Sequence, residues 1–537
     1  MARLMESQFW QCSRRRLIEL MLLGSGLSIF FSTQTFATTY YVSSSGSDSN
    51  NGSQNSPYLT IQKGADQVHA GDTVIVHAGT YSGFVLGWNF DQSGTALAPI
   101  TFKADPGVVI NSRNAQTADD IDIEGPSYIV IDGFKVINAG RAGIRAVSGG
   151  GNNSTGVIIR NNIADNNTEW GIFTSHVDNL LIENNSASNS HVQHGIYVSN
   201  ACINPTVRGN TVFSNNDCGL HMNGDISQGG SGIITGALVE NNVFYDNGLA
   251  GGGSSINCDG IQNSVIRNNL VYNAHGAGIS LYKIDAAQPA TNNTVVNNTI
   301  INATGSKWNI HIANGSTGAK VYNNIFWNAN TSHGSMNVES DSQSGFQSDN
   351  NIVVDRFTTD DSTVISWNQW KSTTGQDHHS IISSPDQLFV NPSSSVNDYH
   401  LKAGSPAIDA GTPSFAPNTD MAGGARPTGA GFDIGALEYG STPAAENTPT
   451  GSSTSSASHS NAVTSSGINS SSGGGGCTLR TDPLSDFIAT SVVLFLFTLG
   501  LLSLGQKRRK NLSSPKEESD GEFGEWTTAI ETEESEF

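Results

Sequence analysis

The chain is short of charge, and shorter still of positive charge. Of its 537 residues only 14% are Asp, Glu, Lys or Arg, and 26 bases against 47 acids leave a formal net charge of −21. That balance argues against nucleic acid as a partner and makes a cationic partner or a divalent cation the more natural match. Cysteine is scarce too, with five in the whole chain. Five do not build the dense disulfide framework of a small secreted scaffold, so the core must come from apolar packing. Helical periodicity is missing across residues 157–353, which removes the helical repeat architectures. Gly, Asn, Ser and Thr fill that space instead, as in a turn-rich β-protein.

Across the same stretch a short β-branched phrase returns, each time followed by a pair ending in asparagine. The pairs are Asn161-Asn162, Asn184-Asn185, the variant Gly209-Asn210, Asn241-Asn242, Asn268-Asn269, Asn297-Asn298, Asn323-Asn324 and Asn350-Asn351, at steps of 23 to 32 residues. A second phrase lies between pairs: Gly143-Ile144, Gly171-Ile172, Gly195-Ile196, Gly219-Leu220 and Gly278-Ile279, with Ser255-Ile256 and Asn309-Ile310 in the same slot. Two or three short strands per repeat, alternating inward and outward, predict a solenoid of parallel β-coils with the asparagines stacked at one turn, about 4.8 Å apart.

These repeats resemble the right-handed parallel β-helix proteins of the pectate-lyase-like superfamily, over roughly residues 39–439. The resemblance implies an all-β fold, a right-handed parallel β-helix with an N-terminal cap and a C-terminal closing module. Ile61, Ala65 and Val68 at helical spacing place a short covering helix within residues 57–68. The first coil strands fall at 72–77 and 99–102. Ser405 to Asp409, Asp420, Arg426 and Glu438 mark the closing module, with a buried ion pair expected in it. The chain reads as a monomer.

Both ends read as targeting segments. Arg14, Arg15 and Arg16 precede the apolar run 17–31, so residues 1–37 are expected to be a signal peptide. The β-helix domain then spans 38–440 and a Ser/Gly/Thr-rich linker 441–484. An apolar run predicts one transmembrane helix at 485–506, and Lys507 to Lys510 place the acidic tail, 507–537, in the cytoplasm. Gly473 to Cys477, the span and the basic cluster together are similar to bacterial C-terminal sorting tails. The expected location is the cell surface or envelope, the membrane held through that single helix. Cys202 and Cys218, on neighbouring coils, are the candidates for a disulfide; Cys258 aligns with inward Val198, Met222 and Leu281 and reads as a buried thiol.

Two outward faces carry patterned polar residues. Arg160, Glu183, Arg208, Glu240 and Arg267 alternate in sign and read as a structural ion-pair ladder. The other face gathers Trp170, Phe173, His194, Tyr197, His221, Asn223, Asp225, Asn257, Asp259, Tyr282, Lys283, Asp285, Trp308 and His311. Aromatic rings stack on sugars and the polar centre can move protons, so an acidic polysaccharide is the expected ligand. Trp170, Phe173, His194, Asn257, Tyr282 and His311 are its expected contacts. The resemblance implies two eliminative routes. In one, Ca2+ held by Asn223, Asp225, Asp259 and Asp285 acidifies the proton beside a uronate carboxylate and Lys283 removes it. In the other, Tyr197 and His221 act as an acid/base pair without metal. Epimerisation of a uronan would use the same groups. Hydrolysis ranks behind, since the pectin-hydrolase motif set is absent. A non-catalytic carbohydrate-binding or adhesive surface protein is the alternative from a different class.

Overall fold

The computed structural model describes residues 37–88, 92–150, 152–250 and 252–441. Its regular structure is overwhelmingly parallel strand, arranged in three long sheets of 12, 11 and 12 strands. One coil shows the plan. Ile158–Arg160 lies on face a, Ile163–Asp165 on face b and Trp170–Ser175 on face c. The next coil sets Leu181–Glu183, Ser186–Ser188 and Ile196–Ser199 beside them in register. The coil therefore has three strands, wound with the right-handed crossover that parallel strands take.

Alternation along each strand makes the core. On face a Ile159, Ile182, Val207, Val239, Ile266, Val295 and Val321 stack in one column, all fully buried. On face c Val198, Met222, Cys258 and Leu281 form another column, so Cys258 is the buried thiol expected of it.

The asparagine pairs sit at the turn between faces a and b, and their two members do different work. The first residue is left-handed, with φ of 53° to 57° at Asn161, Asn184, Asn241, Asn268, Asn297, Asn323 and Asn350. Asn tolerates that region and Gly enters it freely, which is why Gly209 (φ 64°) substitutes there. The second residue is buried and laddered. Oδ1 of Asn185 accepts from the Asn162 backbone N–H at 2.9 Å and from its Nδ2 at 3.0 Å. The pattern continues through Asn210, Asn242, Asn269, Asn298, Asn324 and Asn351. Each amide thus satisfies turn groups that no strand can reach.

The first rung comes earlier than the sequence suggests, because Thr39–Val42 pairs in parallel with Thr73–Val76. The covering helix is one turn, Ile61–Ala65, capped by Thr60 and burying Ile61, Gly64 and Ala65. At the far end coils continue to Ile381–Ile382. The end of the core is covered by helix Trp367–Thr374, whose Trp370 is fully buried and stacks on Phe357 at 5.1 Å. The expected closing module instead lies along the asparagine turn. Asn268, Asn323 and Asn350 donate to the carbonyls of Thr419, Thr412 and Ala410. It does contain the buried ion pair, Arg426–Glu438 at 2.7 Å.

The charge ladder forms as pairs on face a: Arg160–Asp132 at 3.0 Å, Arg208–Glu183 at 2.8 Å and Arg267–Glu240 at 2.7 Å. The candidate disulfide does not form. Cys202 and Cys218 are both free of one, and the Cys202 thiol donates to the Val177 carbonyl at 2.7 Å. The signal peptide, linker, transmembrane helix and tail expectations lie outside the described residues. Among the described residues no helix is long and apolar enough to cross a membrane.

Candidate functional site

Face c carries two outward columns. The first runs Asp122, Arg145, Phe173, Tyr197, His221, Asn257, Ser280, His311. The second runs Ser199, Asn223, Asp259, Tyr282. Trp170 opens its strand and His194 lies just before the next, while Asp225, Lys283 and Asp285 stand in turns beyond the strand ends. The expected residues therefore share a face, though not one column.

The tightest cluster is aromatic. Trp170 and Phe173 stack at 4.5 Å, and Phe173 meets Tyr197 edge-on at 5.3 Å. The Tyr197 ring lies flat on His221, centroids 4.9 Å apart and planes 8° apart. His194 crosses both rings, with its Nε2 3.0 Å from His221 Nδ1. Trp170, Phe173 and Tyr197 are half-buried, whereas His194 and His221 are each only 3% exposed. Burial holds the His194 pKa down to about 3, and burial together with His194 holds His221 well below 6.5. Both rings are neutral at physiological pH. Asn223 Nδ2 reaches the Tyr197 hydroxyl at 3.2 Å and Asp285 Oδ2 at 3.3 Å.

The oxygen set expected for calcium is largely committed elsewhere. Asp259 accepts from the backbone N–H groups of Ile284, Asp285 and Ala286, at 2.7 to 3.4 Å, and so anchors the turn after Tyr282. Burial pushes its pKa up to about 6 despite those donors. Asp225 Oδ1 caps the turn Ile226–Gln228 through the Ser227 N–H at 2.7 Å. That leaves Asn223 Oδ1, buried without a partner, beside Asp285. Asp259 is thus spent on holding the turn, and the oxygens that the set could still offer a calcium ion are those of Asn223, Asp225 and Asp285, with water to complete its shell. Lys283 is half-buried in the turn that Asp259 anchors.

Further along, Asn257 donates to the Tyr282 hydroxyl at 2.8 Å, and both line a small recess with Ser254, Ser280, Lys307 and His311. His311 faces Glu339 at 3.6 Å. Trp308 is no sugar platform, since it is 2% exposed with its Nε1 donating to Asp361 at 3.0 Å.

Sequence reasoning missed the other end of the face. Arg145 stands in the first column, bonded to Asp122 at 2.9 Å and Glu124 at 2.5 Å, and Arg141 holds Asp119. Asp120, fully buried with neither oxygen partnered, and Asp122 are both pushed up to about 7, chiefly by burial. The signal was there in the Asp119-Asp120-Ile121-Asp122-Ile123-Glu124 alternation, but it precedes the first asparagine pair.

The match to a family model agrees with this fold. Residues 40–201 match the Pel9A-like right-handed β-helix region. The chain is also 24% identical over 314 residues to the uncharacterized protein YwoF of Bacillus subtilis (strain 168), covering 48% of this chain and 66% of that protein. The chain therefore spans just under two thirds of that relative's length. Among solved structures, the pectate lyase Pel9A is 18% identical with a TM-score of 0.48, covering 75% of this chain and 97% of its own. An alginate lyase from a Paenibacillus species is 19% identical with a TM-score of 0.42, covering 56% of this chain and 97% of its own.

Proposed function

We propose that this is a polysaccharide-active β-helix protein that cleaves a uronic-acid-containing polysaccharide by β-elimination on face c. The observation that carries the reading is the Tyr197 cluster: a half-exposed phenol flanked by two aromatic platforms, backed by neutral His221, with an amide donor at its hydroxyl. Phe173 and Trp170 offer rings on which sugars stack. Asn223 and Lys283 are the donors for the uronate carboxylate. His221 takes the proton beside that carboxylate, the freed electron pair forms the carbon–carbon double bond, and the glycosidic C–O bond breaks. Tyr197 gives its proton to the leaving oxygen. Burial keeps the His221 ring neutral, so it has a nitrogen lone pair with which to accept that proton. Export and anchoring by the C-terminal apolar run belong to the same reading, since a polymeric substrate lies outside the cell.

A second reading, carbohydrate binding without chemistry, draws on the burial of His221, whose Nε2 has no partner and little access. The two separate on a panel of uronic-acid polymers incubated with the purified protein. Elimination produces unsaturated ends that absorb in the ultraviolet. Binding to such a polymer with no ultraviolet gain means the second reading holds.

A further inference from the structure

His194 and Cys218 occupy equivalent places on adjacent coils, each just ahead of the glycine that opens a face c strand (Gly195 and Gly219), and His221 follows three residues after Cys218. One nitrogen from each imidazole and the Cys218 Sγ lie within 4.8 Å of one another, and the three residues are 1% to 3% exposed. The nitrogens that face each other across the group are His194 Nε2 and His221 Nδ1, while the outer two, His194 Nδ1 and His221 Nε2, have no hydrogen-bond partner. Asp217 stands behind the group, its oxygens 3.5 Å from His194 Nδ1 and 3.6 Å from Cys218 Sγ. A carboxylate in that position orients a ligating imidazole and offsets cationic charge.

We propose that His194, Cys218 and His221 form a binding site for a borderline-soft divalent transition cation such as Zn2+. Two imidazoles and a thiolate are a nitrogen–sulfur set that selects Zn2+ or Co2+ over the hard, oxygen-seeking Ca2+ and Mg2+. The His221 Nδ1 to His194 Nε2 separation of 3.0 Å is already close to the edge of a tetrahedral shell with metal–nitrogen bonds of about 2.0 Å. Contraction of the widest ligand separation by about 1 Å closes the rest, with metal–sulfur bonds of about 2.3 Å. The thiol loses its proton to solvent on binding, and the fourth position stays open.

The consequence for turnover rests on the lyase reading; the binding does not. With metal on Nδ1 of His221, the ring proton resides on Nε2, and the base is lost. Bound Zn2+ therefore inhibits.

The test uses the full chain stripped with a chelator and titrated with Co2+. One equivalent should give visible d–d bands and a near-ultraviolet thiolate-to-cobalt band, both displaced by Zn2+. Cys218→Ser should lose the thiolate band and bind more than tenfold more weakly. His194→Ala should bind more than tenfold more weakly too, and Cys202→Ser should be unchanged. No thiolate band in the wild type, or the same band in Cys218→Ser, overturns the site. In the activity arm Zn2+ should lower the wild-type elimination rate more than tenfold, with Cys218→Ser needing at least tenfold more Zn2+. Elimination absent altogether while the Co2+ band forms leaves the metal site standing and removes the lyase reading.

Discussion

The asparagine turn assigns opposite duties to neighbouring residues of one type, and Asn241-Asn242 shows it well. Asn242 is fully buried. Its Oδ1 accepts from the Asn210 backbone N–H at 2.9 Å and from Asn210 Nδ2 at 3.0 Å, and its Nδ2 donates to the Val207 carbonyl and to Asn269 Oδ1, both at 2.9 Å. Asn242→Ala removes all four. Asn210 Nδ2 keeps Ile182 and Arg208 as acceptors, and Asn269 Oδ1 keeps the Asn242 N–H. The Asn210 N–H is left without this acceptor and the Val207 carbonyl without this donor. At about 1–3 kcal/mol for each of these two buried groups, the loss is roughly 2–6 kcal/mol. Asn241→Gly, by contrast, copies Gly209 in the preceding coil and should cost no more than about 1 kcal/mol. Asn241→Val forces a β-branched residue to φ near 57° and should cost about 1–3 kcal/mol. Urea denaturation followed by circular dichroism reads all three. If Asn241→Gly destabilises as much as Asn242→Ala, the division of labour is wrong.

Other expectations follow from the same coordinates. Arg426→Ala leaves Glu438 fully buried without its counter-charge, and should lower stability by about 3–5 kcal/mol in the same assay. Asp120, raised to about 7 by burial, holds its proton in the folded chain at pH values where the unfolded chain has released it, so its contribution to stability falls as pH rises from about 4 to 7. Asp120→Asn should therefore raise the melting temperature at pH 8 and change it little at pH 4; equal shifts at both would refute the cause. Because elimination by Tyr197 and His221 needs no calcium, and Asp259 is spent on the turn after Tyr282, a chelator should not lower the rate of elimination. Lys283→Ala should raise KM several-fold on acidic polymer and leave kcat nearly unchanged, measured by initial rates.

Much of the fold could be read from the sequence because its demands are local. A left-handed turn residue followed by a buried amide leaves an asparagine pair, and alternation on face c leaves Phe173, Tyr197, His221 and Asn257 visibly outward. What stayed hidden depends on how turns fold back. Asp259 looks like any outward carboxylate until the Ile284–Ala286 backbone closes on it. Trp308 is an exposed aromatic on paper and a buried one in the chain, because the turn carrying Asp361 packs over it. Arg145 stands in the same outward column, two rungs before Tyr197, held there by Asp122 and Glu124, ahead of the first asparagine pair. Cys218 was read only against Cys202, and its proximity to two imidazoles follows from coil spacing that no pairwise motif records.

The central claim is that Tyr197 moves a proton in an eliminative cleavage. The most direct measurement compares wild type with Tyr197→Phe on the uronic-acid polymer that wild type cleaves, following ultraviolet absorbance of unsaturated ends, with circular dichroism as the check on folding. Removing one hydroxyl keeps the ring stack on His221 and deletes only the proton. The account predicts a rate at least a hundredfold lower, on the order of what a general acid contributes, with polymer binding intact. A Tyr197→Phe protein that produces unsaturated ends at the wild-type rate would contradict it.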